Sequence, residues 1–163
     1  MGRYTALAHR TAVLFGAGED ADDVVQDAFV RAYRGLAGFR QGGSFRPWVL
    51  RIVVNETRNA HRSRSRRLAL AVREFALRGG DADRVLGVDV AVVAQEHRAE
   101  VLAAVKALPD RYRAVVTCRY LLELSEAETA QLLRLPTGTV KSQLSRALAR
   151  LQGELAPMSS GEG

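Results

Sequence analysis

A single cysteine, Cys118, in 163 residues has nothing to pair with. That excludes an intrachain disulfide framework and a cysteine-based zinc site, and makes Cys118 a core thiol in a reducing compartment. Aromatic residues are 6% of the chain, and turn dipeptides between short alternating runs are missing, so strand signals are nearly absent. No apolar run approaches the roughly 20 residues that cross a bilayer, and nothing near Met1 has the plan of a signal peptide. A soluble, cytoplasmic protein without membrane insertion is expected. His9, His61 and His97 are scattered, no carboxylate pair sits in a pocket-like pattern, and no glycine-rich phosphate loop follows a strand. Neither a metal, a cofactor nor an enzymatic activity of its own is expected.

What is present is charge in blocks. Lys and Arg outnumber Asp and Glu by 24 to 18, which suits a polyanionic partner, nucleic acid or an anionic membrane surface alike. Distribution says more than the sum. Glu19 to Asp27 holds five acidic residues and no basic one, Arg58 to Arg67 holds five arginines and no acid, and Arg134 to Arg150 is again purely basic. One protein-binding surface and two nucleic-acid surfaces are the natural reading.

Abundant Ala, Leu, Arg and Glu, with Val and Ile inside helical periodicity, predict an all-α protein of two small helical domains joined by a flexible linker. The expected division is residues 1–66, a linker at 67–95, a second domain at 96–153 and a disordered tail at 154–163. A first helix should run from about Tyr4 to Phe15, ending before Gly16 and Gly18. A second, capped by Asp20 with Asp23 three residues on, should reach about Leu36. Ser44 or Arg46 would cap a third, with Pro47 in its first turn, ending near Ser65.

The second domain holds the most specific local signal. Ser125 with Glu128 forms a capping box, Arg134, Leu135 and Pro136 form a tight turn, and Thr137 caps a helix running to about Gln152. That is a helix-turn-helix, whose second helix enters the major groove. Val140, Leu144, Ala147, Leu148 and Leu151 form its inward stripe, with Ser142, Ser145 and Arg146 opposite and Lys141 and Arg150 flanking. Arg forks to guanine, while hydroxyls and Lys reach phosphates or base edges. An ordinary solvated helical hairpin is the bland alternative.

Two further faces stand out. On the third helix Trp48, Arg51, Asn55, Arg58, Asn59 and Arg62 cluster at 100° per residue, opposite Val49, Leu50, Val53 and Ala60. A cationic, amide-rich stripe with an aromatic at its end suits single-stranded or opening DNA, although Trp48 with Phe45 serves equally well as packing that fixes the loop. On the second helix Val25, Phe29, Ala32 and Leu36 should be buried, leaving Asp23, Gln26, Asp27, Val30 and Arg34 outward. Carboxylates near a helix amino terminus are favoured by the dipole alone, but a polar face with one apolar knob is suited to protein docking.

Together these residues resemble the extracytoplasmic-function (group IV) sigma factors of bacterial RNA polymerase, in the sigma-70 superfamily. Ala21-Asp-Asp-Val-Val-Gln-Asp-Ala-Phe29 is similar to the core-polymerase-binding motif of region two. Phe45-Arg-Pro-Trp-Val-Leu-Arg-Ile-Val-Val-Asn55, continuing through Arg58 and Asn59 to the arginine cluster, is similar to the segment that reads and melts the −10 element. Leu108-Pro109, Arg113, Arg119-Tyr120, Leu124-Ser-Glu-Ala-Glu128 and Pro136-Thr-Gly-Thr-Val-Lys-Ser142 follow region four, which reads the −35 element. The resemblance covers about Ala6 to Gln152.

It implies that Asp23, Gln26, Asp27 and Val30 face the polymerase clamp coiled coil. Trp48, Arg51, Asn55, Arg58, Asn59 and Arg62, with the Phe39–Phe45 loop, would lie at the −10 element, where a base is flipped. Thr139, Lys141, Ser142, Ser145 and Arg146 would face the −35 element. The implied partners are RNA polymerase core, through its clamp coiled coil and flap, promoter DNA, and a separate anti-sigma factor. The chain ahead of Asp20 is shorter than the family pattern, and Gln143 and Ser145 stand where basic or aromatic residues are common. Two rivals share the second domain. A dimeric helix-turn-helix regulator leaves the Trp48–Arg62 stripe unexplained, and a site-specific recombinase needs an α/β catalytic domain that residues 1–95 do not suggest.

Overall fold

The computed structural model describes residues 2–39, 42–77 and 96–159. The all-helical expectation holds: among the described residues there are seven α-helices and no strand. They are α1 (Gly2–Leu14), α2 (Ala21–Gly35), α3 (Phe45–Leu77), α4 (Glu96–Ala107), α5 (Asp110–Val116), α6 (Glu126–Leu133) and α7 (Thr137–Ser159). Single 3₁₀ turns precede and follow α2 at Gly18–Asp20 and Leu36–Gly38, and a π-helical turn, Thr117–Leu121, extends α5.

The first three helices form a bundle with an alanine- and valine-rich centre. Ala8 and Ala12 of α1, Ala21, Val24, Val25 and Ala28 of α2, and Val53 of α3 are all buried in one cluster. Small residues on α1 and α2 let the helices approach closely, and the larger Leu50, Val49 and Val54 of α3 fill the next layer. A polar pair links α2 to α3: Arg31 Nε lies 2.9 Å from the buried Glu56 carboxylate. His61 Nε2 lies 2.8 Å from the Gly16 carbonyl and ties the α1–α2 turn to α3. Gly16 has φ +99°, and a Cβ there would stand 3.1 Å from that imidazole, so the turn requires glycine on both counts.

In the second half, α4, α5 and α7 share a core of Ala104, Val105, Leu108, Tyr112, Val116, Ala147 and Leu151. Val115, Ala130 and Val140 join α5, α6 and α7. The halves also meet. Cys118, Leu122, Leu124 and Leu132 belong to one apolar cluster with Val49, Leu50 and Val54 of α3.

Several local expectations are corrected. Asp20 makes no side-chain cap to α2; a 3₁₀ turn enters the helix instead, and Asp20 lies 3.7 Å from Arg64. α3 does not end near Ser65 but runs to Leu77, so its last eleven residues replace the first part of the expected linker. Arg66 to Leu77 contains neither glycine nor proline and is built from strong helix formers, and this continuous propensity outweighs the weakened periodicity. α7 continues past Gln152 to Ser159: Gly153 costs only about 1 kcal/mol, Leu155 still packs on the core, and Pro157 falls only in the last turn. Leu36 is 49% exposed because the chain tightens to 3₁₀ there and turns it outward. Leu148, at the edge of its stripe, is 37% exposed. Residues 78–95 and 160–163 of the expected linker and tail lie outside the described residues.

Burial pushes the Cys118 thiol from its ordinary 9.0 up to about 12. The unfolded thiol ionises near pH 9 while the folded one keeps its proton, so this contribution to stability is full below pH 9 and drains as pH rises toward 12. Denaturant titrations from pH 8 to 11 should show wild type losing stability with pH faster than Cys118→Ala; parallel curves would contradict the assignment.

Candidate polymerase and nucleic-acid surfaces

On α2 the inward side is taken by Ala21, Val24, Val25, Ala28 and Ala32, with Phe29 half-buried. Asp23, Gln26, Asp27, Val30 and Arg34 are therefore all exposed, as the periodicity requires. Val30 is 45% exposed and Tyr33 79%. Tyr33 was not singled out from sequence, although it stands one turn beyond Val30 on the same face. A patch of two carboxylates, an amide and two apolar side chains, with no partner among the described residues, has the composition of a docking surface.

α3 divides as its pattern demands. Val49, Leu50, Val53, Val54 and Thr57 are buried, Ala60 is half-buried, and Asn55, Arg58, Asn59 and Arg62 are exposed. Arg51 is half-buried. Trp48 takes the packing role: its ring centroid lies 5.0 Å from that of Phe39 and 5.5 Å from that of Phe45, which in turn meets Tyr4 edge-on at 5.3 Å. This aromatic knot fixes the α2–α3 loop beside the cationic stripe rather than presenting a free ring.

Because α3 runs on, its cationic face is longer than the sequence suggested. Asn59, Arg62, Ser63, Arg66, Arg67 and Leu70 line a shallow groove on the projecting rod. Leu68, Val72 and Phe75 repeat the buried stripe of the bundle past its end and are exposed. Continuous helix-forming composition from Arg58 to Leu77 was the signal for both features.

The helix-turn-helix is built as its sequence specifies. Ser125 Oγ accepts from the Glu128 N–H at 3.1 Å, and the Glu128 carboxylate accepts from the Ser125 N–H at 2.9 Å, closing the capping box on α6. Arg134 ends α6 in the left-handed region, φ 55°, with its N–H bonded to the Ala130 carbonyl. The first turn of α7 closes on the Pro136 carbonyl, which accepts from Thr139 and Val140, so the cap falls one residue before Thr137.

Val140 and Ala147 are fully buried, turning Lys141, Ser142, Ser145 and Arg146 to solvent and leaving Thr139 half-buried. Ser142 Oγ donates to the Thr139 carbonyl at 3.1 Å, and Lys141 lies 3.7 Å from Glu126. Tyr112 backs this face, with the Arg150 guanidinium 5.2 Å from its ring centre. Burial acts to raise the Tyr112 phenol, but Arg111 and then Arg146 bring it below the ordinary value.

No described helix is long and apolar enough to cross a membrane, and no metal-binding cluster occurs among the described residues.

Comparison with known proteins fits this geometry. Residues 2–67 match Sigma-70 region 2 and residues 98–151 match Sigma-70, region 4. The chain is 32% identical over 145 residues to the ECF RNA polymerase sigma-E factor of Escherichia coli K12, covering 85% of this chain and 75% of that protein. It is likewise 32% identical over 148 residues to SigW of Bacillus subtilis, covering 87% and 79%. Among solved structures, CnrH in complex with the cytosolic domain of CnrY is 28% identical with a TM-score of 0.65, over 96% of this chain and 84% of that one. RpoE of Bartonella quintana, solved with the anti-sigma factor NepR, shares the fold with a TM-score of 0.66 at 23% identity, over 93% and 91%.

The bundle and the helix-turn-helix are thus the two regions of a sigma-70 protein, a class that directs transcription initiation rather than catalysing a reaction. Within that class the chain belongs to the ECF RNA polymerase sigma factors, which act in promoter-directed initiation.

Replacing Ser125 by Ala removes one arm of the capping box while keeping Glu128. A loss of about 1 kcal/mol is expected, a Tm drop of roughly 2–4 °C; an unchanged melting curve would show that the box does not hold α6.

Proposed function

We propose that this sigma factor divides its work among three faces. The exposed Asp23, Gln26, Asp27 and Val30 of α2 dock on the clamp coiled coil of RNA polymerase core. The α3 face of Arg51, Asn55, Arg58, Asn59 and Arg62 receives the −10 element as it opens, with Trp48 holding the neighbouring loop in place. The α7 face of Thr139, Lys141, Ser142, Ser145 and Arg146 reads the −35 element, while the flap supports the second module. The observation that carries this reading is the opposite chemistry of two exposed helix faces on one bundle, acidic with an apolar knob on α2 and cationic with amides on α3.

The physical roles follow from side-chain type. Arginines along α3 neutralise backbone phosphates, and the two asparagines offer donor and acceptor together to an exposed base edge. Flipping a base costs a few kcal/mol of unstacking, which pocket contacts and phosphate neutralisation offset. On α7, Arg146 reaches base edges from a helix whose buried Val140 and Ala147 fix its rotation in the groove. Phosphodiester synthesis belongs to the polymerase, and this chain supplies positioning and strand capture with no reaction and no cofactor of its own. It works in the cytoplasm beside the polymerase. A separate anti-sigma factor is the expected restraint; the 28%-identical CnrH is itself seen held by the cytosolic domain of another protein.

Reversing charge at Asp23 and Asp27 together to Lys should abolish binding to core polymerase in a pull-down while far-ultraviolet helicity stays unchanged; retained affinity would remove the docking face. Arg146→Ala should weaken −35 protection by about 1–3 kcal/mol in footprinting. Asn55→Ala should instead lower permanganate reactivity of the melted bases more than duplex binding. If both variants impair the same step equally, the division between α3 and α7 is wrong.

A further inference from the structure

Three exposed arginines from two helices gather on one buried phenol. Tyr112 is a core residue of α5, packed with Val105, Leu108, Ala147 and Leu151 and only 3% exposed. Arg111, its neighbour on α5, donates from Nη2 to the Tyr112 hydroxyl at 3.2 Å and lies 4.7 Å over the ring centre. Arg146 of α7 reaches the same hydroxyl. Arg150, one turn further along α7 at about 6 Å of rise, has its guanidinium 5.2 Å from the ring centre. The core thus fixes the phenol, and the phenol fixes where the three cationic heads stand.

Such a cluster is electrostatically incomplete. Other cations of the chain have acids beside them, as in Arg31–Glu56, Arg64–Asp20 and Lys141–Glu126. Asp110, the nearest acid in sequence to Arg111, is taken by Arg113, and no carboxylate is paired with Arg111, Arg146 or Arg150 among the described residues. A neutral hydroxyl is all that Arg111 and Arg146 share. Each guanidinium carries five N–H donors in a planar fork, so most of them remain free beside that hydroxyl, and the fork matches the oxygens of a phosphate. Arg146 also belongs to the proposed −35 face, and a helix seated in a major groove about 12 Å wide has phosphate backbone along both sides. We infer that Arg111, Arg146 and Arg150 around Tyr112 form an anion seat that takes one backbone phosphate bordering the −35 element. α5, which lies outside the helix-turn-helix, then makes a DNA contact of its own. Tyr112 is its positioning residue. A phosphate held there carries no sequence information but sets the depth and tilt at which α7 meets the bases. The identity of the phosphate rests on the −35 reading above; the seat itself does not.

Full-length protein tests the seat in two steps. In the free chain, inorganic phosphate added at constant ionic strength should move the Nε–H magnetic resonance signals of Arg111, Arg146 and Arg150 with one shared dissociation constant, while Arg3 and Arg10 of α1 show no saturation. Arg111→Gln should weaken that affinity on the order of tenfold. Signals that stay still, or that move with unrelated constants, would overturn the seat. The second step uses a short duplex cut from the upstream element of a promoter mapped with this chain. The Arg111→Gln, Arg150→Gln double variant should bind it on the order of tenfold more weakly and lose about 1 from the slope of log affinity against log salt. Its discrimination against substituted −35 bases should match wild type. Lost discrimination would make these arginines base readers and overturn the phosphate assignment. An unchanged slope in a chain that binds inorganic phosphate keeps the seat for a free anion and overturns the DNA backbone as its ligand. If the double variant loses helicity, wild type decides with duplexes carrying one uncharged methylphosphonate at each bordering position in turn: one sensitive position supports the seat, and none overturns it. A chain that binds phosphate at the seat but binds no duplex keeps the seat and loses the promoter reading.

Discussion

One helix has to be two things at once. α3 supplies the central apolar layer of the first bundle through Leu50, Val53 and Val54, and the same 100° step turns Asn55, Arg58, Asn59 and Arg62 outward. A rotation that improved one stripe would spoil the other, so the rotation of α3 is fixed by its core and its cationic face inherits that precision. Secondary contacts reinforce the setting. The Phe39, Phe45 and Trp48 rings grip its start, Arg31 holds Glu56 in its middle, and His61 ties the following turn to Gly16. A nucleic-acid face is thereby placed on a rigid element rather than on a loop.

The second module solves the same problem with less material. The Ser125–Glu128 box starts α6, the left-handed Arg134 ends it, and the Pro136 carbonyl starts α7, so two helices are oriented by three local devices within a dozen residues. Burial of Val140 and Ala147 then determines which side chains of α7 meet solvent. The caps fix where each helix begins and ends, while burial of residues such as Val115, Leu124 and Val140 supplies most of the stabilisation.

Much of this was legible because it is periodic. The exposed α2 face, the inward and outward sides of α3 and the capping box all follow from residue spacing, and the order of three motifs pointed to the family. What was not legible is tertiary or depends on propensity. Past Ser65 the apolar stripe of α3 continues only through Leu68, Val72 and Phe75 and is blurred by Leu70 and Leu77, so the projecting end is clearest in a count of helix formers. Trp48 reads equally as an exposed ring or a packed one until Phe39 and Tyr4 are placed beside it. Leu36 leaves the core through a change of helix type that no hydrophobic pattern encodes. The meeting of Arg46 with Leu122 and Glu128 joins residues too distant in sequence for local spacing to relate.

That two helical modules on one chain select promoters for RNA polymerase is open to direct measurement. It is tested most directly by in vitro transcription with core enzyme over a library of genomic fragments, mapping every start. Starts should depend on this chain and share two sequence elements at one fixed separation, upstream and at the melted region. Absence of any chain-dependent start, or starts sharing only a single palindromic element, would contradict it.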